Sequence, residues 1–420
     1  MGEKLKVLLK PENRRKILDL IYSIGATGVF NLVIQVVLYP TFYKVLNESA
    51  GIEGKSDGPY GVALVIISFI AITAGTFGYA VNCSRILGTE KGLTKNADYN
   101  FILLIMGIVG SIIGIVYIYN KGYTSPLPLI LYVFLMFSTM LRYYSEVEFK
   151  INTNFFRYMI YYLLISAGYA LGLIVFFPTG EWMLPLIIGE SLAVLFVVIF
   201  GKIYRKPIIK PTKDFLPVLS SVGLILPSVF IDNITLHADR ILLLEITKSG
   251  AYVEMYYAAS LMGKVIAMLT QPINAIMISY LVRYKGGLTR KLWVLVVGAA
   301  SAFGIVGFAG CLLTSPIVIG ILYKGMFEKL TPYLVPAILG QVLYFVSGML
   351  MMILLRFKGE KKQLILNASY AVVFFACVAV GTVIGNLTGF VYGILIANGL
   401  RFAAAVIWGF LGKKKAEVQE

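Results

Sequence analysis

Of the chain's 420 residues, 59% are hydrophobic and 14% charged, and the mean hydropathy is +0.84. A soluble chain is about 25% charged, so this composition excludes a water-soluble globular protein. The net charge of +16 is spread over short basic segments, which fits attraction to anionic inner-leaflet lipid and argues against nucleic-acid binding.

A bilayer is crossed by about 20 consecutive apolar residues. Residues 20–43, 58–84, 99–120, 122–141, 158–180, 292–323, 330–355 and 363–400 each lack Asp, Glu, Lys and Arg. Twelve spans are predicted, centred near residues 28, 70, 110, 133, 167, 193, 225, 266, 303, 343, 374 and 399. The run 363–400 divides at "GNLTG" (385–389), a turn signal. The first apolar run has full span length and no small-residue cleavage site after it, so no cleavable leader is expected.

The basic residues alternate along this series. The N-terminal tail, every second loop and the C-terminal tail together hold 28 Lys and Arg, and the remaining loops hold 7. The positive-inside rule then places both termini, and the loops at 83–98 and 202–214, in the cytoplasm. The chain is expected to be a multi-pass protein of the cytoplasmic membrane.

Loops no longer than about 18 residues leave no room for an inserted soluble domain. No P-loop occurs, a single histidine stands in the chain, and Cys83, Cys311 and Cys377 lie apart without metal or disulfide spacing. Catalysis, a metal site and a bound cofactor are therefore not expected, and transport is the better reading.

Six spans precede the basic loop at 202–213 and six follow it. "GESLAVLFVVIFGK" (189–202) can be laid on "GLRFAAAVIWGFLGK" (399–413), which places Glu190 opposite Arg401. The expected architecture is all-α: two six-helix bundles, 1–206 and 207–420, related by a pseudo-two-fold axis along the membrane normal.

Polar residues inside spans mark candidate sites, because they avoid lipid. Asp19, Ser23, Thr27, Asn31 and Gln35 recur every four positions in span 1. Ser228, Asp232, Thr235 and Asp239 share a face of span 7, and Tyr257, Ser260, Lys264, Gln271 and Asn274 share one of span 8. Lys264 stands alone between Glu254 and Arg283, where a charge costs roughly 2.5–3.5 kcal/mol. Such stripes also serve as helix–helix glue. An ion pair of Lys264 with Asp232 or Asp239, or of Arg401 with Glu190, is the structural alternative. Pro272 is expected to kink span 8.

The segment "LHADRILLLEITKSGAYVEMYYAASLMGKVIAMLTQPINAIMISYL" (236–281) resembles polysaccharide repeat-unit flippases. These belong to the multidrug/oligosaccharidyl-lipid/polysaccharide exporter superfamily. "GPYGVALVIIS" (58–68), "NCSRIL" (82–87) and "YYSEVEFKINTNFF" (143–156) look like the capsule and O-antigen members; the insert "NESAGIEGKSDG" (47–58) departs from many of them. The resemblance implies alternating-access transfer of an undecaprenyl-diphosphate-linked oligosaccharide, through a cavity lined by spans 1, 2, 7 and 8. Lys264, Arg240 and Arg401 would then meet phosphate, with Asp239, Asn31, Gln35, Gln271 and Asn274 beside them and Tyr257 against sugar. Asp232 and Glu190 are candidates for coupling to a proton or sodium gradient. Membrane lipids, a polysaccharide polymerase and glycosyltransferases are the implied partners. The alternatives are a cation-coupled multidrug exporter of the same superfamily and a lipid II-type flippase.

Overall fold

The computed structural model describes the backbone of residues 11–53, 58–205, 209–283, 286–358 and 360–411. Within these, side chains are described from residue 18 on, except at 20, 49–53, 90, 267–283, 355, 356, 358 and 360–364. Regular structure among the described residues is entirely helical. The chain runs through α1 (Pro11–Leu32), a π-helical stretch (Val33–Leu38), α2 (Tyr39–Glu53), α3 (Pro59–Glu90), α4 (Asn96–Tyr119), α5 (Pro126–Ser145) and α6 (Val147–Ile151). It continues as α7 (Phe155–Thr179), α8 (Met183–Phe200), α9 (Phe215–Thr247), α10 (Gly250–Arg283), α11 (Arg290–Leu322), α12 (Phe327–Lys358) and α13 (Glu360–Phe410).

Ten helical segments among the described residues are long and apolar enough to cross a bilayer. The last of them, Ile365–Phe410, holds two spans. Its backbone leaves the helix at Gly385 (φ −133°, ψ 20°) and Asn386 (φ 48°, ψ −129°), the turn that "GNLTG" predicts. With α10, 34 residues long, the helices match the twelve expected spans. The protein is a multi-pass membrane protein.

Local chemistry sets several helix ends. Asn154 and Thr289 accept backbone N–H bonds from Arg157 and Leu292 at 3.2 Å, capping α7 and α11. Gly180, in the left-handed region at φ 71°, ends α7.

The described residues form two compact units. The first takes in the chain to Gly54 and Val62–Ala238; the second, Lys55–Gly61 and Asp239–Glu420. In membranes, helices associate by close packing and not by hydrophobic drive. In the first unit a Cβ on Gly168 of α7 would lie 2.5 Å from the Cα of Gly189 on α8. Small residues there let the backbones meet and carry Glu190, the next residue, to Tyr169.

The segment joining α8 to α9 is tied into the first unit. The Glu148 carboxylate accepts from the Lys202 and Ile203 amides at 3.0 and 3.2 Å. Asn96 Nδ2 donates to the Lys202 carbonyl at 2.8 Å. Asp98 accepts from the Thr212 amide at 2.6 Å and from its hydroxyl at 2.7 Å.

Two expectations change here. Arg85 and Arg142, counted above as loop residues, lie inside α3 and α5 and are buried. Arg85 stacks on Tyr99 and donates to Asn96 Oδ1 at 2.7 Å. Secondly, the four-residue row Asp19–Gln35 does not hold one face throughout. Gln35 falls in the π-helical stretch, and four-residue steps drift around the α-helical part by about 40° each.

Candidate functional site

The second unit gathers charged and aromatic residues from α9, α10, α12 and α13. Asp239 and Arg240, adjacent on α9, are both buried. The Asp239 carboxylate accepts from the Arg240 amide at 2.9 Å and from the Tyr256 hydroxyl. That hydroxyl in turn accepts from Gln341 Nε2 at 3.1 Å. Asp239 is thereby held in place by α9, α10 and α12 together.

Lys264 lies seven residues beyond Tyr257, two turns along one face of α10. Its ammonium sits 4.8 Å from the Tyr257 ring centroid and 5.5 Å from that of Tyr256. Arg240 takes the same Tyr257 ring at 4.8 Å. Lys264 Nζ is buried without a hydrogen-bond acceptor among the described residues, although Asp239 lies within electrostatic reach. The close ion pair with Asp239 left open by the sequence is not formed among the described residues. Asp232 stands exposed on α9 in the first unit.

Arg401 forms a second station. Its guanidinium lies 4.4 Å from the Tyr344 ring and 4.5 Å from the Tyr370 ring. One weak bond, Nη1 to the Tyr344 carbonyl at 3.5 Å, engages it, and Nε is buried without an acceptor. Tyr370 is fixed by donating to Asn398 Oδ1 at 2.7 Å, while Asn398 Nδ2 donates to the Gly340 carbonyl at 2.9 Å. Arg401 is in no ion pair among the described residues.

Glu190, paired in the sequence reading with Arg401, has a partner in its own unit. It pairs with Arg142 of the first unit at 3.2 Å, accepts a short bond from the Thr139 hydroxyl and accepts from Tyr169 at 3.2 Å. Arg142 in turn stacks on Tyr143 at 4.0 Å and Phe30 at 5.4 Å. With its oxygens met from three sides, Glu190 has the surroundings of a structural anchor.

Of the span 1 candidates, Asn31 donates to the Thr27 carbonyl at 2.9 Å, and Thr27 to Ser23 and Ile24 carbonyls. These amide and hydroxyl donors are spent on their own helix. Tyr257, expected against sugar, is fully buried and has its ring beside two cations. The side chains of Gln271 and Asn274, like Pro272, lie outside the described residues.

Sequence reasoning missed Tyr256, Gln341, Tyr344, Tyr370 and Asn398. Tyr256 and Tyr257 were legible, since both stand two turns before Lys264 on α10. The Arg401 station comes from separate stretches of α12 and α13, and no spacing announces it.

No family model and no curated protein matches the chain. Solved structures do. An inward-facing multidrug resistance MATE family transporter of the MOP superfamily matches with TM-score 0.68 at 14% identity, over 91% of this chain and 93% of that one. The chain has the MATE fold. An outward-facing MATE transporter matches at TM-score 0.60 and 16% identity over 94% of each chain. A MATE in a bent conformation matches at 0.59 and 15%, over 96% of this chain and 95% of that one. The superfamily of the first of these neighbours is the one whose members residues 236–281 resemble. Identities this low carry the MATE fold alone, and the residues that choose a substrate must be read from this chain.

Proposed function

We propose that this protein carries undecaprenyl-diphosphate-linked oligosaccharide repeat units across the cytoplasmic membrane by alternating access, for capsule, O-antigen or exopolysaccharide assembly. One observation carries the reading: Lys264 and Arg401, both within membrane-length helices of the second unit, rest on tyrosine faces instead of on carboxylates. Cation–π contact offsets part of the desolvation cost but leaves N–H donors without acceptors. A diphosphate supplies several charged oxygens, and such bonds are about twice as strong as neutral ones. Arg240 adds a cation beside Lys264, and Asp239 is the carboxylate next to both.

In this mechanism the cations attract and orient the diphosphate while its sugars pass through the polar interior. The Asp239–Tyr256–Gln341 chain keeps Arg240 and Lys264 in register. A proton or sodium gradient supplies the driving force, with Asp232 as the more exposed carboxylate available to it. Both termini lie in the cytoplasm, where glycosyltransferases deliver the substrate; a polymerase takes it on the far side.

A second reading, export of cationic drugs, draws on the neighbours, described as multidrug resistance transporters, and on Asp232 and Asp239. The Lys264, Arg240 and Arg401 charges oppose it, since they repel a cationic substrate.

Purified protein titrated with undecaprenyl diphosphate and with ethidium separates the two. Undecaprenyl diphosphate binding that weakens about tenfold or more in Lys264→Ala and in Arg401→Ala supports the flippase. Tight ethidium binding, indifferent to both substitutions and without undecaprenyl diphosphate binding, overturns it in favour of drug export.

A further inference from the structure

A second polar site lies in the first unit, away from the residues used above. The turn between α6 and α7 and the end of α8 enclose a cavity of about 200 Å3, lined by Asn152, Asn154, Arg157, Phe196, Phe200 and Lys202 among others. Because α7 begins and α8 ends here, and both have membrane-span length and composition, the cavity sits at the level of a membrane surface.

Its two sides differ in chemistry. Phe149, Phe196, Val197 and Phe200 form one side, and Phe200 is 59% exposed on the outer surface of α8. That is a lipid-facing wall. The other side carries Arg157 and Lys202, both exposed. Neither is in an ion pair among the described residues. The cavity's carboxylate, Glu148, is turned onto backbone: it accepts from the Lys202 and Ile203 amides and from Asn152 Nδ2 at 3.1 Å. Those bonds hold Glu148 in place without cancelling its charge, and two cations against one carboxylate leave the space net positive. Thr153, held in the left-handed region at φ 46°, makes the turn that sets Asn152 and Asn154 on either side of it. A non-glycine residue in that region costs free energy and is retained where a local geometry is needed.

We propose that this cavity binds the phosphodiester headgroup of an anionic membrane phospholipid. Arg157 and Lys202 meet the phosphate oxygens, Arg157 with its planar fork and Lys202 as a point charge. The acyl chains lie along Phe196, Val197 and Phe200. A zwitterionic headgroup brings its own cation into the same space and is disfavoured. The site is independent of the transported substrate: it holds a resident lipid against the start of the segment that joins α8 to α9.

The test uses the full-length protein in detergent, supplemented with dioleoyl-phosphatidylglycerol, dioleoyl-phosphatidylcholine or inorganic phosphate. Native mass spectrometry and thermal unfolding are the readouts. The wild-type protein should retain phosphatidylglycerol over phosphatidylcholine and unfold at a higher temperature with it. Arg157→Ala/Lys202→Ala should lose about tenfold or more of that retention, since each cation near anionic lipid is worth roughly fivefold in affinity. Arg157→Lys/Lys202→Arg, which keeps both charges, should retain the lipid and shows that the loss is not one of folding. Equal retention of both lipids, or retention unchanged in the alanine double variant, would overturn the assignment. So would an equal thermal shift with inorganic phosphate alone, which would make this a simple anion site.

Discussion

Arg142 and Glu190 form an ion pair at 3.2 Å inside the first unit, each less than a tenth exposed. Two charges so deeply buried depend on one another. Removing one leaves the other uncompensated, at a cost of about 3–5 kcal/mol. Glu190→Ala and Arg142→Ala should each lower the unfolding temperature sharply, whereas Arg142→Met/Glu190→Leu should recover most of it. Thermal unfolding of the three proteins in detergent decides this, and independent losses that simply add would contradict the pairing.

Lys264 behaves differently, because it rests on rings. Loss of its cation–π contacts removes about 2 kcal/mol at most, and its buried charge is relieved at the same time. Lys264→Ala should insert, accumulate and unfold nearly as wild type while losing export, and Lys264→Arg should keep much of the activity. Surface glycan and protein level measured in the same cells provide the check; a stable, fully active alanine variant would remove Lys264 from the mechanism.

Asp239 is the acid that acts on both Lys264 and Arg240. Asp239→Asn should destabilise the second unit by about 1–3 kcal/mol, the range for a lost hydrogen bond to a charged group. Adding Lys264→Met should restore part of that loss, because the unbalanced ammonium goes with it. A double-mutant cycle on unfolding temperature reads this coupling, and strict additivity would show that the two do not interact.

Asp98, fully buried, holds Thr212 through both backbone and hydroxyl. Asp98→Ala should speed amide exchange at Thr212 and increase proteolysis near residues 209–214, at a stability cost of about 1–3 kcal/mol. Hydrogen–deuterium exchange that leaves Thr212 as protected as in wild type would exclude this anchoring role.

The spans were legible because apolar length is a property of the chain itself, and the turn at Gly385–Asn386 because glycine and asparagine adopt the backbone it needs. Arg85 and Arg142 were misread for a reason of the same kind. A charge near a helix end reads as loop, and their shields lie elsewhere: Tyr99 and Asn96 for one, Glu190, Tyr143 and Phe30 for the other. The π-helical stretch around Gln35 was invisible because a four-residue spacing does not distinguish α from π winding. Lys264 stood out as a lone charge. The setting of Arg401, assembled from α12 and α13, exists only after folding, as does the cavity beside Arg157 and Lys202.

The tyrosine platforms also bear on how the chain is made. Synthesis runs from the N-terminus, so Tyr256 and Tyr257 emerge just ahead of Lys264 on the same helix. The lysine enters the membrane with its shield already attached. Arg401 follows both Tyr344 and Tyr370, and Glu190 follows Arg142, Thr139 and Tyr169. Lys264, Arg401 and Glu190 thus each emerge after the groups that receive them, whereas Arg142 and Arg240 emerge ahead of Glu190 and Tyr257 and must wait for them.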